Sequence, residues 1–410
     1  MSAAAMMCVI LSIGRQFWHH LFIMSGVSML SKAVRYIVHW EEWHWFVKYI
    51  LISPAWFWLC LRARSFWFFT SSNPGITFGG FVGETKREIY KQLPPSSYPK
   101  SIFISPGIPF STVQDLVKNA QLSFPFVTKP DVGQMGFMFR KIDSPDQLRQ
   151  YHEVMGVDYI IQELVKFPVE VSVFYYRYPN ESKGHITGFL KKGYLEVVGD
   201  GKSDLRELIS RCPRAQFRLK EMFSKHQSKL ETILPAGARF QLTHALNLSR
   251  GGRLINLEHE KDERLREVFD EISRYTDNFY YGRYDIRCAS IEDLKDGKNF
   301  SILEYNGCGA EPHHIYHNGN SLIKACRILI EHWNILYEIS THNYRLGARR
   351  WNYFEGLRYQ REATLHLKKL KELDCRFEFK DGAPTTSANV VEEIAPSYQV
   401  WLETDNTKFA

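Results

Sequence analysis

The stretch that decides the fold reads Tyr281-Gly-Arg-Tyr-Asp-Ile-Arg287, and a second, related stretch reads Phe300-Ser-Ile-Leu-Glu-Tyr-Asn306. Both are rich in aromatic and branched apolar residues, which favours β-strands. Between them lies Lys295-Asp-Gly-Lys298, and its central Asp-Gly pair is typical of a turn. We therefore expect an antiparallel hairpin over residues 281–306.

Charged and polar side chains share one face of this predicted hairpin. The strand period of two places Arg283, Asp285 and Arg287 on one face of the first strand. It likewise places Glu304 and Asn306 on one face of the second. Asp285, Glu304 and Asn306 would then offer the oxygen ligands that Mg²⁺ prefers. Because an unpaired buried carboxylate is costly, a structural arginine–carboxylate cluster that neutralises itself fits the same pattern.

From Asn73 onward, the alternation of predicted helices and strands is typical of an α/β enzyme. Strand-like runs at residues 125–129 and 137–141 flank a loop that contains Gly133 and Gly136. Further strands are expected over residues 101–104, 159–165 and 169–178, and two more, joined by a loop, between residues 240 and 257. Helices are expected over residues 84–93, 112–120, 145–155 (capped by Ser144), 203–210, 260–276 and 322–373.

The quoted strands resemble a known superfamily. Gly-Arg-Tyr-Asp at 282–285 and Leu-Glu-Tyr-Asn-Gly at 303–307 are similar to motifs of the ATP-grasp enzymes, especially D-alanine–D-alanine ligase and the ATP-grasp part of cyanophycin synthetase. The resemblance runs from about residue 86 to residue 330. It implies an α+β ATP-grasp fold, in which two lobes clasp ATP. It also implies that Asp285, Glu304 and Asn306 hold two Mg²⁺ ions, which Mn²⁺ can replace, and that Arg283 is catalytic and faces the reacting acyl group.

Contacts to the ATP phosphates follow from the same resemblance. Lys129, at the end of a strand, is similar to the lysine that contacts the phosphates in this superfamily. The loop with Gly133 and Gly136 is similar to the flap that covers them, although it is shorter here. A first phosphate lysine is expected earlier in the chain. Lys86 is our choice, with Lys91 as the alternative.

The adenosine part of ATP would lie against the next two strands. Gln162, Glu163, Leu164 and Val165 resemble the hinge that binds adenine through backbone groups. Glu170, seven residues beyond Glu163, has the spacing of the superfamily's ribose-binding glutamate.

Two further stretches, residues 197–208 and 247–252, are similar to cyanophycin synthetase. An arginine expected shortly before the second is replaced by Thr243, which leaves the substrate carboxylate site open. The candidates for an anion-binding nest near the acyl phosphate are Asn247, Ser249, Gly251 and Gly252. An ordinary hairpin turn is the alternative. The pair Lys191 and Lys192 could hold phosphate or an acidic substrate, with Lys191 as the candidate, or could end a strand in solvent.

A histidine-rich segment follows the second hairpin strand. Glu311, His313 and His314 could form a rim that contacts substrate or phosphate. His313 and His317 have the i, i+4 spacing of a transition-metal pair if the segment is helical. Solvated loop histidines are the third interpretation.

Composition limits the class of protein. Hydrophobic residues make up 44% of the 410 residues and charged residues 24%, which excludes wholesale disorder. The formal net charge of +7 favours anionic partners. No nucleic-acid recognition motif is present, so we expect no nucleic-acid partner. The seven cysteines lack CxxC spacing, which favours reduced thiols in a cytoplasm.

The first 70 residues contain seven of the ten tryptophans. Their most apolar run, residues 46–61, is interrupted by Lys48 and Pro54, and is shorter than the roughly 20 residues of a spanning helix. We expect helices that pack on the main domain, in a cytoplasmic protein. The alternative is a peripheral element at the inner membrane surface, since tryptophans beside Arg62 and Arg64 suit an interface.

These observations predict three segments and one reaction class. Residues 1–72 form a Trp-rich helical N-terminal segment, residues 73–340 an ATP-grasp domain, and residues 341–410 a C-terminal helix and loose tail. The arginines at 345, 349, 350 and 358 are expected on a solvated helix face. The resemblance implies a carboxylate–amine ligase that joins small-molecule acids and amines through an acyl phosphate. A regulatory or membrane-surface protein without turnover and an ATP-grasp kinase are the alternatives.

Overall fold

Two antiparallel sheets and the helices around them organise the chain. The structure is a computed structural model, and it describes residues 40, 43, 45–213, 215–242, 252–316 and 320–380. The strands are β1 Ser101–Ile104, β2 Phe126–Pro130, β3 Arg140–Ile142, β4 Tyr159–Glu163, β5 Val169–Tyr176, β6 His185–Gly193, β7 Glu196–Val198, β8 Arg239–Gln241, β9 Arg253–Asn256, β10 Tyr281–Cys288 and β11 Phe300–Asn306.

Helices cover the sheets and connect the strands. They are α1 Trp45–Ala63, α2 Lys86–Tyr90, α3 Phe110–Asn119, α4 Pro145–Val154, α5 Leu205–Arg211, α6 Leu219–Lys225, α7 Glu263–Arg274, α8 Ile291–Lys295, α9 Leu322–Arg345 and α10 Tyr353–Arg376. The α+β class predicted from the sequence is confirmed.

The predicted hairpin forms one edge of the larger sheet. That sheet has the order β11-β10-β5-β6-β9, and every neighbouring pair is antiparallel. The connection between β10 and β11 differs from the bare turn that was expected. Ser290 caps the short helix α8 by accepting a hydrogen bond from the backbone N–H of Asp293, and the reversal falls at Gly297, whose φ is +67°.

The core of the larger sheet lies against the amphipathic helix α7. Val171 and Val173 of β5 and Tyr284 of β10 pack with Leu265 and Phe269 of that helix. Alternation along each strand sends these apolar residues to the helix side, so the charged residues between them point to the opposite face. The core thereby places the polar face of the sheet toward the smaller sheet.

The smaller sheet has the order β1-β4-β2-β3, again antiparallel throughout. Helix α4 packs on it, and Ser144 caps this helix as predicted, by accepting from the N–H of Gln147. Helix α10 also covers this sheet, because Leu370, Phe377 and Phe379 belong to its core. The C-terminal segment is therefore part of the structural core as far as residue 380. The predicted tail from residue 381 onward lies outside the described residues.

The helical pattern predicted over residues 322–373 forms two helices in the structure. Helix α9 ends at Arg345 and α10 begins at Tyr353, with Gly347 at φ +96° between them. The predicted basic stripe is accordingly divided among the end of α9, the loop after it and α10. Arg345 and Arg349 are exposed, whereas Arg350 is half-buried and donates to the backbone carbonyl of Ala63.

A buried ion pair joins α10 to the smaller sheet. The guanidinium of Arg140 lies 2.7 Å from the carboxylate of Asp374, and each side chain is 1% exposed. An Asp374→Ala variant would leave Arg140 charged and unpaired in the core. We expect its free energy of unfolding to fall by about 3–5 kcal/mol, measured by urea denaturation. A second variant, Arg140→Met with Asp374→Leu, should recover most of that loss. An unchanged unfolding midpoint for Asp374→Ala would contradict this role.

The loop before α2 is held against the end of the hairpin. The side-chain amide of Asn73 donates to the carbonyl of Tyr281, and its oxygen accepts from the N–H groups of Tyr280 and Tyr281. Gly80 has φ +74°, and a Cβ there would lie 2.8 Å from the Cα of Gly307. Only glycine therefore permits this close approach.

Helix α1 packs along α9. Ile52 and Leu59 are buried, and the ring of Trp56 lies 5.0 Å from that of Trp333. Residues 1–39, which include Trp18, are outside the described residues. Within the described ranges, no helix combines the length and the hydropathy required to cross a membrane.

A third, two-stranded sheet pairs β7 with β8. Residues 240–257 were expected to form two strands joined by a loop, with a hairpin turn as one interpretation. The hairpin interpretation is wrong, because β8 pairs with β7 and β9 pairs with β6 of the larger sheet.

Candidate active site

The register of the hairpin brings the predicted metal residues together. Arg283 lies opposite Asn306, and Asp285 lies opposite Glu304. The register then shifts, so that Leu303 is an extra residue on β11. This bulge leaves the carbonyl of Leu303 accepting from the hydroxyl of Tyr90 and the ammonium of Lys129. Bulges often re-aim groups beside active sites.

Asp285 is the most strongly held carboxylate of this face. Its side chain accepts from the hydroxyl of Ser172, lies 3.2 Å from the Nζ of Lys192 and lies 3.3 Å from a guanidinium nitrogen of Arg283. Burial alone would raise the pKa of Asp285, but Arg283, Lys192 and Ser172 outweigh that effect and hold it well below its usual range. Asp285 is therefore ionised at any physiological pH.

The donor set suits a hard divalent cation. Two carboxylates, Asp285 and Glu304, and the amide of Asn306 occupy one face, and the amide nitrogen of Asn306 lies 3.4 Å from Asp285. Rotation of that amide would present its oxygen instead. Mg²⁺ is usually bound by one or two carboxylates together with substrate phosphates. The part of the chain that is described contains no cluster of three His, Cys, Asp or Glu residues that could hold a metal alone. The predicted metal ligands stay a prediction.

Two lysines approach Glu304 from the other side of the cleft. Lys129 donates to the carbonyl of Leu303 at 3.3 Å, and Lys86 donates to the carbonyl of Gly133 at the same distance. Burial lowers the pKa of both lysines, while the nearby Glu304 partly restores it. Of the two candidates for the first phosphate lysine, Lys86 lies in the cleft, whereas Lys91 is exposed.

A cavity occupies the space between these groups. It is lined by Glu84, Lys86, Ile89, Tyr90, Gly133, Glu304 and Tyr305. Two carboxylates and one lysine therefore line the same small cavity.

Glu84 belongs to this cavity, and the sequence analysis missed it. Burial raises the pKa of its carboxyl group. One of its carboxylate oxygens is buried and finds no hydrogen-bond partner among the described residues. An orphaned buried polar atom needs an explanation, and a bound ligand would supply one. The only feature of the sequence that pointed to Glu84 was its position two residues before Lys86.

The glycine loop adopts the conformations that its glycines permit. Gly136 has φ +73° and follows Met135 at φ +55°, and Met135 is exposed. Gly133 lines the cavity and accepts from Lys86. The loop therefore lies beside the candidate phosphate lysines, where the resemblance places the flap.

The predicted adenine hinge is only partly available to a ligand. The side-chain amide of Gln162 donates to the hydroxyl groups of Tyr90 and Ser101. The backbone N–H of Glu163 donates to the carbonyl of Lys100, and the carbonyl of Val165 accepts from Arg287. Leu164 lies between these two residues and is half-buried.

Glu170 lies at the centre of a chain of charges. Its two carboxylate oxygens lie 3.2 Å from Lys192 and 3.3 Å from Arg287. Since Lys192 also binds Asp285, one lysine bridges the predicted ribose residue and a predicted metal ligand. A ribose hydroxyl at Glu170 would share the carboxylate with Arg287.

Lys192, rather than Lys191, occupies the site. Lys191 lies opposite Val171, a core residue, and Lys192 lies opposite Glu170. Strand alternation therefore directs Lys191 away from the polar face. The proposed role of Lys191 is corrected for this reason. The paired lysines were visible in the sequence, but choosing between them requires the register between β5 and β6.

Three groups hold the guanidinium of Arg283 in place. It donates to the carbonyl of Glu311, lies 3.2 Å from the Nε2 of His313 and pairs with Asp285. Its buried Nε has no partner within the described ranges. The side chain of Glu311 in turn accepts from Tyr49 of α1.

His313 and His314 are partly buried beneath this arginine. Burial, followed by the charge of Arg283, holds the pKa of His313 well below its usual value, so the ring is neutral. His314 lies against Phe174 and His332, and burial lowers its pKa to about 4. His317 lies outside the described residues, so the predicted zinc pair has no structural description.

The structure describes only one residue of the candidate anion-binding nest. Asn247, Ser249 and Gly251 lie outside the described residues, and Gly252, just before β9, is buried. The nest stays a prediction.

Lys129 gives the site a testable pH dependence. Burial lowers the pKa of Lys129 to about 8, so its positive charge is lost as pH rises through 8. If this lysine contacts ATP phosphates, affinity should fall above pH 8, by up to about tenfold per pH unit. Calorimetric titration with ATP at several pH values tests this. A Lys129→Arg variant keeps its charge and should show a flatter profile. Equal profiles for the two proteins would contradict the contact.

Comparison with known proteins found matches among solved structures. No protein-family profile and no curated protein matches the chain. The bifunctional glutathione synthetase from Pasteurella multocida is 16% identical, over 57% of this chain and 34% of its own, with a TM-score of 0.36. D-alanine–D-alanine ligase from Bacillus anthracis is 13% identical, over 64% and 69%, with a TM-score of 0.37. The ATP-grasp ligase PsnB is 13% identical, over 60% of each chain, with a TM-score of 0.34.

The chain is thus similar in fold to solved ATP-grasp ligases, and it spans 34% of the length of the glutathione synthetase.

Proposed function

We propose that the chain is an ATP-dependent carboxylate–amine ligase that uses Mg²⁺ and releases ADP and phosphate. One observation carries the proposal: Lys86, Lys129 and Glu304 meet in one cleft, beside the pair formed by Asp285 and Arg283. Half-buried lysines that form no ion pair with any described carboxylate suit phosphate oxygens. An arginine held by backbone and side-chain contacts suits a developing negative charge.

The reaction would proceed in two steps. An oxygen of the substrate carboxylate attacks the γ-phosphorus of ATP, and ADP leaves, which forms an acyl phosphate. An amine then attacks the acyl carbon, and phosphate leaves from the tetrahedral intermediate as the amine loses a proton. No covalent enzyme intermediate is required, so the protein contributes position and charge.

Each residue has a role that follows from its contacts. Lys86 and Lys129 bind the ATP phosphates, and Arg283 stabilises the oxyanion of the tetrahedral intermediate. Lys192 keeps Asp285 ionised and in place through its 3.2 Å contact. Asp285, Glu304 and Asn306 would hold Mg²⁺, which when bound neutralises the β- and γ-phosphate oxygens.

A second set of residues orients Arg283. The carbonyl of Glu311 and the neutral ring of His313 accept from its guanidinium, which restricts the rotation of a long side chain. The arginine is thereby fixed with its positive charge on the polar face of the sheet, and its buried Nε has no described partner. Preorganised donors of this kind lower a barrier without further rearrangement.

The proposal is tested by incubating the protein with ATP, Mg²⁺ and a pool of amino acids and dipeptides. We expect ADP and phosphate in equal amounts, and a product whose mass is that of two substrates minus water. A phosphorylated product without free phosphate would favour a kinase instead. Tight ATP binding without ADP under every condition would favour a regulatory protein.

A further inference from the structure

We propose that α1 and the start of α10 form a docking surface for an anionic lipid bilayer. The proposal rests on the outer side of α1, which no described helix or strand covers. Leu51, Pro54, Trp58 and Leu61 are exposed and recur at helical spacing, and Phe57 lies beside them. We call these five residues the outer face of α1.

The outer face is unusually apolar for an exposed helix. Trp58 is 61% exposed and Leu61 is 71% exposed, while Ile52 and Leu59 on the inner side are buried. A helix that is apolar on both sides normally lies in a core or in a membrane. Contiguous apolar surface of this kind marks an interaction site.

The apolar surface continues beyond the end of α1. The ring of Phe66 lies 5.8 Å from that of Tyr353, whose ring lies 5.5 Å from that of Phe354. Phe354 is 79% exposed. Two separate elements, the end of α1 and the first turn of α10, thus contribute aromatic rings to one surface.

Basic residues border this surface. Arg62 and Arg64 are exposed at the end of α1, and Arg349 is exposed where it stacks on Trp351. The sequence from residue 45 to residue 83 contains no aspartate or glutamate. The acidic residue at the start of α10, Glu355, is paired with Arg349.

This combination of aromatic rings and arginines selects the partner. Tryptophan and arginine are the residues that lie at the boundary between lipid tails and anionic headgroups. A second copy of the chain is the other occupant that the test below distinguishes from a bilayer. Since α1 lacks what a spanning helix requires, it would lie in the plane of the interface.

Docking would also fix where the active site lies. On its inner side, α1 carries Tyr49, which donates to Glu311, the residue whose carbonyl holds Arg283. The same helix that binds the bilayer would therefore hold the site close to it. The docking surface itself is independent of the proposed chemistry.

Vesicle co-sedimentation of the full chain tests the proposal. We expect the protein to sediment with vesicles of phosphatidylcholine that contain about 30% phosphatidylglycerol, and much less with phosphatidylcholine alone. Raising the salt to about 0.5 M should weaken binding. A Trp58→Glu, Leu61→Glu variant should bind at least about tenfold more weakly. An Arg62→Gln, Arg64→Gln variant should lose about fivefold per arginine on the anionic vesicles only.

A matched control is Ile233→Glu, which places the same charge at a residue that is 56% exposed in the segment after α6. It should bind vesicles like the wild type. If the wild type stays in the supernatant with anionic vesicles, or if the α1 variants bind like the wild type, the proposal is overturned. A wild-type dimer in light scattering that Trp58→Glu dissociates, without vesicle binding, would overturn it in favour of self-association. The salt dependence requires no variant, so it remains decisive if a variant fails to fold.

Discussion

An Arg283→Ala variant is expected to keep its fold and to lose about 10²–10³-fold in kcat, the cost of removing one donor to an oxyanion. Its guanidinium is fixed by Glu311, His313 and Asp285, and its Nε is buried without a described partner. A donor held in this way acts on a charge that develops during the reaction, so kcat should fall more than KM rises. The measurement is steady-state ADP release with the acid and amine that the substrate pool identifies.

The matched control for this variant is Arg264→Ala. Arg264 is an exposed arginine of α7, the helix that packs on the apolar face of the larger sheet, and it pairs with Glu292. Its kcat should equal that of the wild type. Circular dichroism and the thermal midpoint check that both variants fold. Wild-type kcat in a folded Arg283→Ala protein would contradict the catalytic role of this arginine.

A Glu304→Gln variant is expected to lose turnover by at least about 100-fold, since even groups that only orient a metal ligand contribute 10–100-fold. The change keeps the size of the side chain and removes its charge. It therefore removes a metal ligand and also the attraction that Glu304 exerts on Lys86 and Lys129. The turnover of the variant should recover little when Mg²⁺ is raised, because the neutral amide is a weak ligand.

Glu292→Gln is the control for this change. Glu292 is an exposed glutamate of α8, on the connection between the same two strands. Its variant should turn over like the wild type at every Mg²⁺ concentration. If Glu304→Gln folds and shows the same Mg²⁺ dependence as the wild type, Glu304 does not bind the metal.

The hairpin could be predicted because its information is local. Alternation along β10 and β11 is set by residues two apart. The sequence therefore predicted one common face for Arg283, Asp285, Glu304 and Asn306. Helix caps are local as well, which is why Ser144 was found. The bulge at Leu303 could not be predicted in this way, because the position of an extra residue depends on how two strands pair.

The features that could not be predicted depend on contacts between distant parts of the chain. The choice between Lys191 and Lys192 could not be made from the sequence, because it requires the register of β6 against β5. The packing of α10 on the smaller sheet was missed because Arg140 and Asp374 are 234 residues apart. Glu84 lies in a loop, where no periodic pattern marks a buried side chain. The role of such residues is known only when the positions of the two sheets relative to each other are known.

The central claim is that Mg²⁺ and ATP bind in the cleft between the two sheets. Calorimetric titration with a non-hydrolysable ATP analogue tests it most directly, since binding requires no knowledge of the acid or the amine. The account predicts binding that depends on Mg²⁺ and that is weakened in both Glu304→Gln and Lys129→Met. A folded wild-type protein that binds no nucleotide, or variants that bind it as tightly as the wild type, would contradict the account.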